Sequence, residues 1–83
     1  MKPMRILLAD DHELVRAGIR ALVLQIENTV VIAEAENGKQ ALELMRKLKP
    51  DLVLMDIAMP ELNGLAATAQ AKKEFPEIPI IIL

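Results

Sequence analysis

The sequence predicts an α/β fold in which a parallel sheet carries helices on both of its faces. Short apolar runs alternate with longer helical segments along the chain, and this alternation is typical of such folds. The apolar runs are continuous, as expected of strands that are buried on both sides. A length of 83 residues, a hydrophobic content of 53% and a net charge of −2 indicate a single soluble domain with its own core.

The first predicted strand and helix occupy residues 5–9 and 13–26. The strand is an apolar run that ends at two aspartates. Between residues 13 and 26 apolar side chains recur at intervals of three and four, which predicts an amphipathic helix capped by Asp11 or His12. The predicted polar face of this helix carries Arg16, Arg20 and Gln25. We interpret that face as exposed to solvent.

A second strand and helix follow. Residues 29–33 are rich in β-branched side chains and predict a short strand. Asn37 precedes a helix whose third residue is Gln40, which is a variant of the capping box. The apolar residues of this helix are spaced i, i+3, i+4 and i+7 up to Leu48, and Pro50 closes the helix.

The last three predicted elements are a strand at residues 52–55, an alanine-rich helix at residues 65–74 and a strand at residues 79–83. The final run holds three consecutive isoleucines and ends without a following helix. It leaves an apolar edge of the kind that natural domains usually avoid. We therefore expect that the domain is cut short after the fourth strand, or that a partner completes it.

The composition excludes several functional classes. There is no cysteine, which rules out a disulfide framework, a thiol nucleophile and a cysteine zinc site. No apolar run reaches the length of a membrane span, so we expect a cytoplasmic protein without membrane contact. The slightly acidic balance and the single aromatic residue, Phe75, do not suit a nucleic-acid surface. Any DNA contact must come from another domain.

Three carboxylates follow predicted strands. Asp10 and Asp11 end the first strand and Asp56 ends the third, at the edge of the sheet where α/β proteins bind ligands. Like charges at close range demand a cation, and oxygen ligands suit Mg²⁺. We therefore predict a magnesium site. In the alternative interpretation Asp11 caps a helix, Asp10 is solvated and Asp56 simply ends a strand.

An aspartate beside Mg²⁺ can act as the nucleophile in phosphoryl transfer, which makes Asp56 the candidate acceptor. In the loop after it, Pro60 supplies a fixed φ and Gly64 a permissive backbone. We expect that loop to turn and leave room for a phosphoryl group.

Two motifs carry a resemblance to a known family. Leu-Leu-Ala-Asp-Asp-His at residues 7–12, together with Asp-Ile-Ala-Met-Pro-Glu-Leu-Asn-Gly at residues 56–64, resembles the receiver domain of bacterial two-component response regulators. The resemblance implies a five-stranded, flavodoxin-like, doubly wound parallel sheet. Residues 1–83 then form a partial receiver domain of four strands and three helices, and the last helix, strand and helix and any DNA-binding domain are expected outside this chain.

The resemblance also implies roles for individual residues. Asp56 accepts a phosphoryl group from a histidine kinase. Asp11, Asp56 and the main-chain carbonyl group of Ala58 bind Mg²⁺, and Asp10 contributes through water.

Residues 10–18 are most similar to regulators with a LuxR-type helix-turn-helix output domain, which implies transcription control by the full-length protein. A chain that ends at Leu83 lacks the Ser or Thr after the fourth strand and the Lys after the fifth that family members carry. We therefore expect weak phosphorylation and no enzymatic turnover. The missing helices leave apolar faces of strands one, three and four exposed, which predicts a homodimer or an oligomer that exchanges strands or helices.

Two other functions remain open. One is a receiver-like module that has lost phosphotransfer and works by dimerising. The other is a magnesium-dependent phosphatase with an aspartate nucleophile. That class requires a second aspartate two residues after the nucleophile, where this chain has Ala58. A nucleotide-binding Rossmann domain is disfavoured, because the first strand leads into Asp10 and Asp11 and not into a glycine-rich loop.

Overall fold

The computed structural model describes residues 2–83, which form a four-stranded parallel sheet with three helices. The strands are β1 (Met4–Ala9), β2 (Thr29–Ala35), β3 (Leu52–Met55) and β4 (Ile80–Ile82). The helices are α1 (Glu13–Val23), α2 (Gly38–Leu48) and α3 (Gly64–Glu74). None of these helices combines the length and the apolar character that crossing a membrane requires.

The strand order across the sheet is β2-β1-β3-β4, and every neighbouring pair is parallel. This is the order of the first four strands of a flavodoxin-like fold, so the predicted fold class is confirmed. The strand boundaries agree with the prediction to within two residues, and the largest difference is the extension of β2 to Ala35. β1 occupies a central position, and its residues 6–9 are buried.

One face of the sheet packs against α2 and α3 and forms the main hydrophobic core. Leu7 and Met55 enter this core from the strands, whereas Met45 and Ala67 enter it from the helices. All four are fully buried, and burial of a side chain as large as Leu or Met contributes about 1.5–3 kcal/mol. Small alanine side chains on α3 let that helix lie close to the core.

The other face of the sheet is covered by α1, which packs against β1 and β2. The orientation of α1 contradicts our interpretation of its polar face as solvent-exposed. Arg16 is only 9% exposed, whereas Leu14 and Leu22 are 85% and 64% exposed. Arg16 lies inward because acceptors for its guanidinium group lie at the ends of β1 and β2, which the periodicity of α1 alone does not show.

The expected exposure of apolar strand residues is only partly observed. The expectation is wrong for residues 6–9 of strand one, which are buried, although Met4 at the start of that strand is 46% exposed. It holds in part for the other strands, because Leu54 of β3 is half-buried and Ile81 of β4 is 51% exposed. The apolar exposure of the sheet is therefore greatest at the edge formed by β4.

The prediction that α1 extends to Ile26 is wrong, because the helix ends at Val23. The N–H groups of Gln25 and Ile26 donate three residues back, to Leu22 and Val23, at 3.1 and 2.9 Å. This is the tighter spacing with which helices often end. The hydroxyl group of Thr29 lies 2.9 Å from the carbonyl oxygens of both Val23 and Ile26. Its one hydrogen is shared between these two acceptors at the helix end.

Side chains close both ends of α2. Asn37 is confirmed as the cap, since its Oδ1 accepts a hydrogen bond from the N–H of Gln40 at 2.7 Å. In return Gln40 Oε1 accepts from the N–H of Glu36 at 2.7 Å, one residue earlier than in a standard capping box. At the other end Arg5 of β1 donates to the carbonyl oxygen of Leu48 at 2.7 Å. The helix is thereby tied to the central strand.

α3 begins at Gly64, one residue before the predicted start, because Asn63 caps it by accepting from the N–H of Ala66 at 2.8 Å. At the surface, α3 is linked to α2 by a pair of parallel hydrogen bonds. Arg46 Nε and Nη2 donate to the two carboxylate oxygens of Glu74 at 3.0 and 2.8 Å. These hydrogen bonds raise the pKa of Arg46 and lower the pKa of Glu74.

We expect Glu74→Gln to lower stability slightly at neutral pH, because exposed ion pairs contribute little. The pKa of Glu74 is lower in the folded protein than its ordinary value of 4.5, so the pair stabilises the fold above that value. Its contribution is lost as the pH falls through the folded-state pKa. Urea unfolding should therefore show a lower free energy of unfolding for the variant than for the parent at neutral pH. This difference should disappear at acidic pH.

The control for that measurement is Glu77→Gln, which removes another exposed glutamate that forms no ion pair within residues 2–83. The difference in unfolding free energy between Glu77→Gln and the parent should not change with pH in the way that the Glu74→Gln difference does. A Glu74→Gln deficit that persists in acid would contradict the assignment of this ion pair.

Candidate functional site

The candidate site lies at the carboxyl ends of β1 and β3, which are neighbours in the sheet. The N–H of Asp56 donates to the carbonyl oxygen of Ala9 at 2.9 Å, and the N–H of Asp10 donates to that of Ala35 at 3.0 Å. Sheet-like hydrogen bonding therefore continues for one residue beyond β1 and β3. The backbone from which both carboxylates project is held in place.

The predicted convergence of Asp10, Asp11 and Asp56 is present in the structure. One potential ligand atom from each of these residues, and one from His12, all lie within 4.8 Å of one another. We call these four residues the acid cluster. Asp10 is buried, Asp56 is half-buried and Asp11 is exposed, so the cluster is closed on one side and open to solvent on the other.

His12 occupies the N-cap position of α1, but its side chain does not cap the helix. The expected side-chain cap is therefore not formed, and His12 faces the carboxylates instead. Its Nδ1 lies 2.9 Å from Asp11 Oδ1 and 3.4 Å from Asp10 Oδ1. The N–H of His12 donates to Asp10 Oδ1 at 2.8 Å, and this hydrogen bond orients the Asp10 carboxylate.

The chemistry of the donor set fits a hard divalent cation. Within residues 2–83, neither lysine nor arginine forms an ion pair with the three carboxylates of the acid cluster. Mg²⁺ prefers oxygen ligands, takes one or two carboxylates and keeps several waters. The arrangement of Asp10, Asp11 and Asp56 is compatible with that requirement.

Ala58 lies in the loop two residues after Asp56 and is exposed. No main-chain N–H within residues 2–83 donates to its carbonyl oxygen. This oxygen remains available as a ligand for a cation or for water. Residue 58 lacks a carboxylate, so the second aspartate of an aspartate-nucleophile phosphatase is missing.

The loop of residues 57–63 is held closed by its own backbone. The N–H of Gly64 donates to the carbonyl oxygen of Ile57 at 2.8 Å, and that of Leu62 donates to Pro60 at 2.8 Å. A Cβ atom on Gly64 would lie 1.9 Å from the carbonyl oxygen of Asp56. Gly64 does not have a positive φ, so glycine is required here for close approach and not for the permissive backbone that we predicted.

The start of α2 supports the same loop from the other side. The N–H of Gly38 donates to the carbonyl oxygen of Leu62 at 2.8 Å, and a Cβ atom on Gly38 would lie 2.1 Å from that oxygen. Met59 is buried in the main core. The loop beside Asp56 is thus anchored by main-chain hydrogen bonds and by one buried side chain.

Arg16 contacts the acid cluster, although the sequence did not indicate that it does. Its Nη1 donates to the main-chain carbonyl oxygen of Asp10 at 2.6 Å, and its Nε donates to Glu34 Oε1 at 3.1 Å. An opposite charge near the end of the following strand, as Glu34 provides, is a signal that could have suggested a buried arginine.

Comparison with known proteins identifies similar chains. The family model described as the response regulator receiver domain matches residues 6–83. The response regulator protein VraR of Staphylococcus saprophyticus is 42% identical over 81 residues, which are 98% of this chain and 39% of the relative. The chain therefore spans about two fifths of the length of this curated relative.

Solved structures show the same similarity. The crystal structure of a LuxR-family two-component response regulator from Aurantimonas sp. SI85-9A1 is 36% identical with a TM-score of 0.92, and the match covers 98% of this chain and 58% of that one. RcsB of Salmonella enterica serovar Typhimurium, bound to the promoter rprA in the presence of phosphomimetic BeF3-, is 31% identical with a TM-score of 0.88. That match covers 98% of this chain and 42% of RcsB.

We expect Gly64→Ala to destabilise the protein by about 1–3 kcal/mol, the usual range for overpacking, because the new methyl group collides with the main chain of Asp56. Gly18→Ala is the matched control, since Gly18 lies within α1 and a Cβ atom there meets nothing within 4 Å. The free energy of unfolding of Gly18→Ala should rise by about 0.5–1 kcal/mol, because alanine is favoured over glycine within a helix. Urea unfolding of both variants measures the contrast, and equal effects would contradict the role of close approach.

Proposed function

Because this chain belongs to the response regulator receiver domain family, we propose that Asp56 accepts a phosphoryl group in two-component signalling. The observation that carries the proposal is the convergence of Asp10, Asp11 and Asp56 at neighbouring strand ends. Asp56 is half-buried, its N–H is hydrogen-bonded to β1, and it lies beside two carboxylates that can hold a cation. Phosphoryl transfer to aspartate depends mainly on such positioning and charge.

In the proposed reaction, an Oδ atom of Asp56 attacks the phosphorus atom of a phosphohistidine on a histidine kinase. The new bond joins that oxygen to phosphorus, while the bond from phosphorus to the imidazole nitrogen breaks. The imidazole leaves with the electron pair. The closed loop of residues 57–63 keeps the backbone of Asp56 fixed while the incoming group approaches from the open side of the acid cluster.

Oxygen atoms of this chain hold Mg²⁺ in the proposal. Asp11, Asp56 and the carbonyl group of Ala58 would hold the ion, and Asp10 would contribute through water. When bound, Mg²⁺ supplies positive charge that offsets the charge of the carboxylates and of the transferring phosphoryl oxygens. The supporting role of Asp10 agrees with its burial and with the hydrogen bond that it accepts from the N–H of His12.

This role is regulatory, because Asp56 receives and holds the phosphoryl group. We propose that the receiver controls transcription in the cytoplasm through a DNA-binding domain elsewhere in the protein. Support comes from similarity to VraR and to RcsB, whose structure contains a promoter. A phosphatase is supported less well, because Ala58 stands where that class has its second aspartate.

We also propose that the protein self-associates, as a homodimer or by exchange of strands or helices. The supporting observation is apolar exposure on α1 and β4, where Leu14, Leu22 and Ile81 are 85%, 64% and 51% exposed. β4 is also an edge strand, which can pair with another chain. A module that works by dimerising without phosphotransfer is therefore the second candidate function.

Intact-mass spectrometry tests the acceptor. Incubation with Mg²⁺ and an acyl phosphate should add the mass of one phosphoryl group to the parent protein, and Asp56→Asn should abolish the addition. Asp51→Asn is the matched control, because Asp51 precedes the other end of β3 and should leave the addition unchanged. An adduct that survives in Asp56→Asn would exclude Asp56 as the acceptor, and a parent without any adduct would favour the dimerising module.

Sedimentation equilibrium tests self-association. Leu22→Glu places a charge on the exposed apolar surface of α1 and should shift the protein towards the monomer. Leu65→Glu is the control, because Leu65 is similarly exposed but lies on α3. A parent protein that is monomeric throughout the measured concentration range would contradict the proposed assembly.

A further inference from the structure

We propose that Arg16 is a positioning residue for the acid cluster, acting through the main chain of Asp10. The inference rests on the proposed function and extends it to a residue that contacts neither Mg²⁺ nor the phosphoryl group in that proposal. By holding the carbonyl group of Asp10, Arg16 sets the direction in which the next residue, Asp11, presents its carboxylate.

The guanidinium group of Arg16 is held in a nearly closed environment. Its side chain is 11% exposed. Nη1 donates to the carbonyl oxygen of Asp10 at 2.6 Å and Nε donates to Glu34 Oε1 at 3.1 Å, while Nη2 lies 3.7 Å from Glu36 Oε1. These contacts join α1, the end of β2 and the loop after β1 through one side chain.

Three polar groups of Asp10 are held by hydrogen bonds to three other residues. Its N–H donates to Ala35, its Oδ1 accepts from the N–H of His12, and its carbonyl oxygen accepts from Arg16. The carbonyl group of Asp10 and the N–H of Asp11 belong to one planar peptide unit. Rotation of that unit would break the bond to Arg16 and move the Asp11 carboxylate.

The charges around Arg16 explain how a cation can be placed so close to a site for another cation. An isolated buried guanidinium group would repel Mg²⁺ from the carboxylates. Glu34 accepts hydrogen bonds from both Arg16 and Arg20, and Glu36 lies beside Arg16. The negative charges of Glu34 and Glu36 therefore offset the positive charges of Arg16 and Arg20. Arg16 can donate its hydrogen bond to Asp10 without strongly repelling Mg²⁺ at the acid cluster.

The position of Glu34 depends on an irregularity of the sheet. Ile6 pairs with Val31 but Leu7 pairs with Ala33, so β2 contains one extra residue at this point. The extra residue reverses which face the following side chains of β2 occupy. Glu34, opposite Leu8, therefore faces α1 and meets Arg16.

A positioning role and a purely electrostatic role of Arg16 predict opposite changes in Mg²⁺ affinity when Arg16 is replaced. If Arg16 acted only as a nearby positive charge, Arg16→Met would strengthen Mg²⁺ binding. If Arg16 positions Asp10, the same variant should weaken Mg²⁺ binding by about 10-fold, the lower end of the usual effect of losing a group that orients a metal ligand. Arg16→Lys retains the charge but cannot bond Asp10 and Glu34 with a planar fork, so it should also weaken binding, to a smaller extent.

The experiment is a Mg²⁺ titration of the purified protein, followed by the NMR shifts of the amides of Asp11, His12 and Asp56. Arg20→Met is the matched control, because Arg20 shares Glu34 with Arg16 but lies on the exposed part of α1. Thr29→Val controls for lost stability, since it removes a hydroxyl that binds the carbonyl groups at the end of α1. Neither control should weaken Mg²⁺ binding.

Parent-like or tighter binding by Arg16→Met would overturn the proposal, as would equal weakening in Thr29→Val. If the NMR spectrum of Arg16→Met shows that the variant does not fold, the Mg²⁺ affinity of Arg16→Lys tests the proposal in its place. Parent-like binding by Arg16→Lys would likewise overturn the proposal.

Amide hydrogen exchange without Mg²⁺ separates this proposal from the proposed function. The readout is the N–H of His12, which donates to Asp10 Oδ1. Faster exchange at this amide in Arg16→Met, but not in Arg20→Met, supports positioning, and unchanged exchange contradicts it. A parent protein that does not bind Mg²⁺ would contradict the proposed function, while the exchange rates would still decide the role of Arg16.

Discussion

The pairing of β1 with β3 is the constraint on which the candidate site depends. Asp56 donates its N–H to Ala9, so the two strands end at the same level and the carboxylates that follow them meet. Three carboxylates at this distance repel one another, and the protein must hold them together by other interactions. Burial of β1 at the centre of the sheet provides that restraint, because a slip of one residue would turn its buried side chains to the wrong faces.

The loop beside Asp56 is positioned by direct contact between main-chain segments. Gly64 brings the start of α3 against the carbonyl group of Asp56, and Gly38 brings the start of α2 against Leu62. Side chains at either glycine would push these segments apart. The acceptor residue is therefore fixed by β1 on one side and supported by two helix starts on the other, which leaves its carboxylate as the part that reaches the open side of the acid cluster.

α1 differs from α2 and α3 in what it contributes. α2 and α3 bury apolar side chains in the main core, whereas α1 turns Arg16 towards the sheet and leaves Leu14 and Leu22 exposed. The inward face of α1 thereby contacts the acid cluster through Asp10, and its outward face carries apolar surface. One helix thus links the proposed phosphorylation chemistry to the surface at which we propose assembly.

The order of the seven elements and the cap at Asn37 follow from local patterns in the sequence. The meeting of Asp10, Asp11 and Asp56 was also predictable, because the carboxyl ends of parallel strands share one edge of the sheet. The end of α1 at Val23 and the burial of Arg16 against Asp10 and Glu34 became evident only from the folded chain. Those outcomes depend on a hydroxyl group from β2 and on an extra residue within β2. The contact of Arg16 with Glu34 joins residues 18 positions apart, and the contact with Asp10 requires the chain to turn between β1 and α1. The periodicity of α1 alone contains no record of either contact.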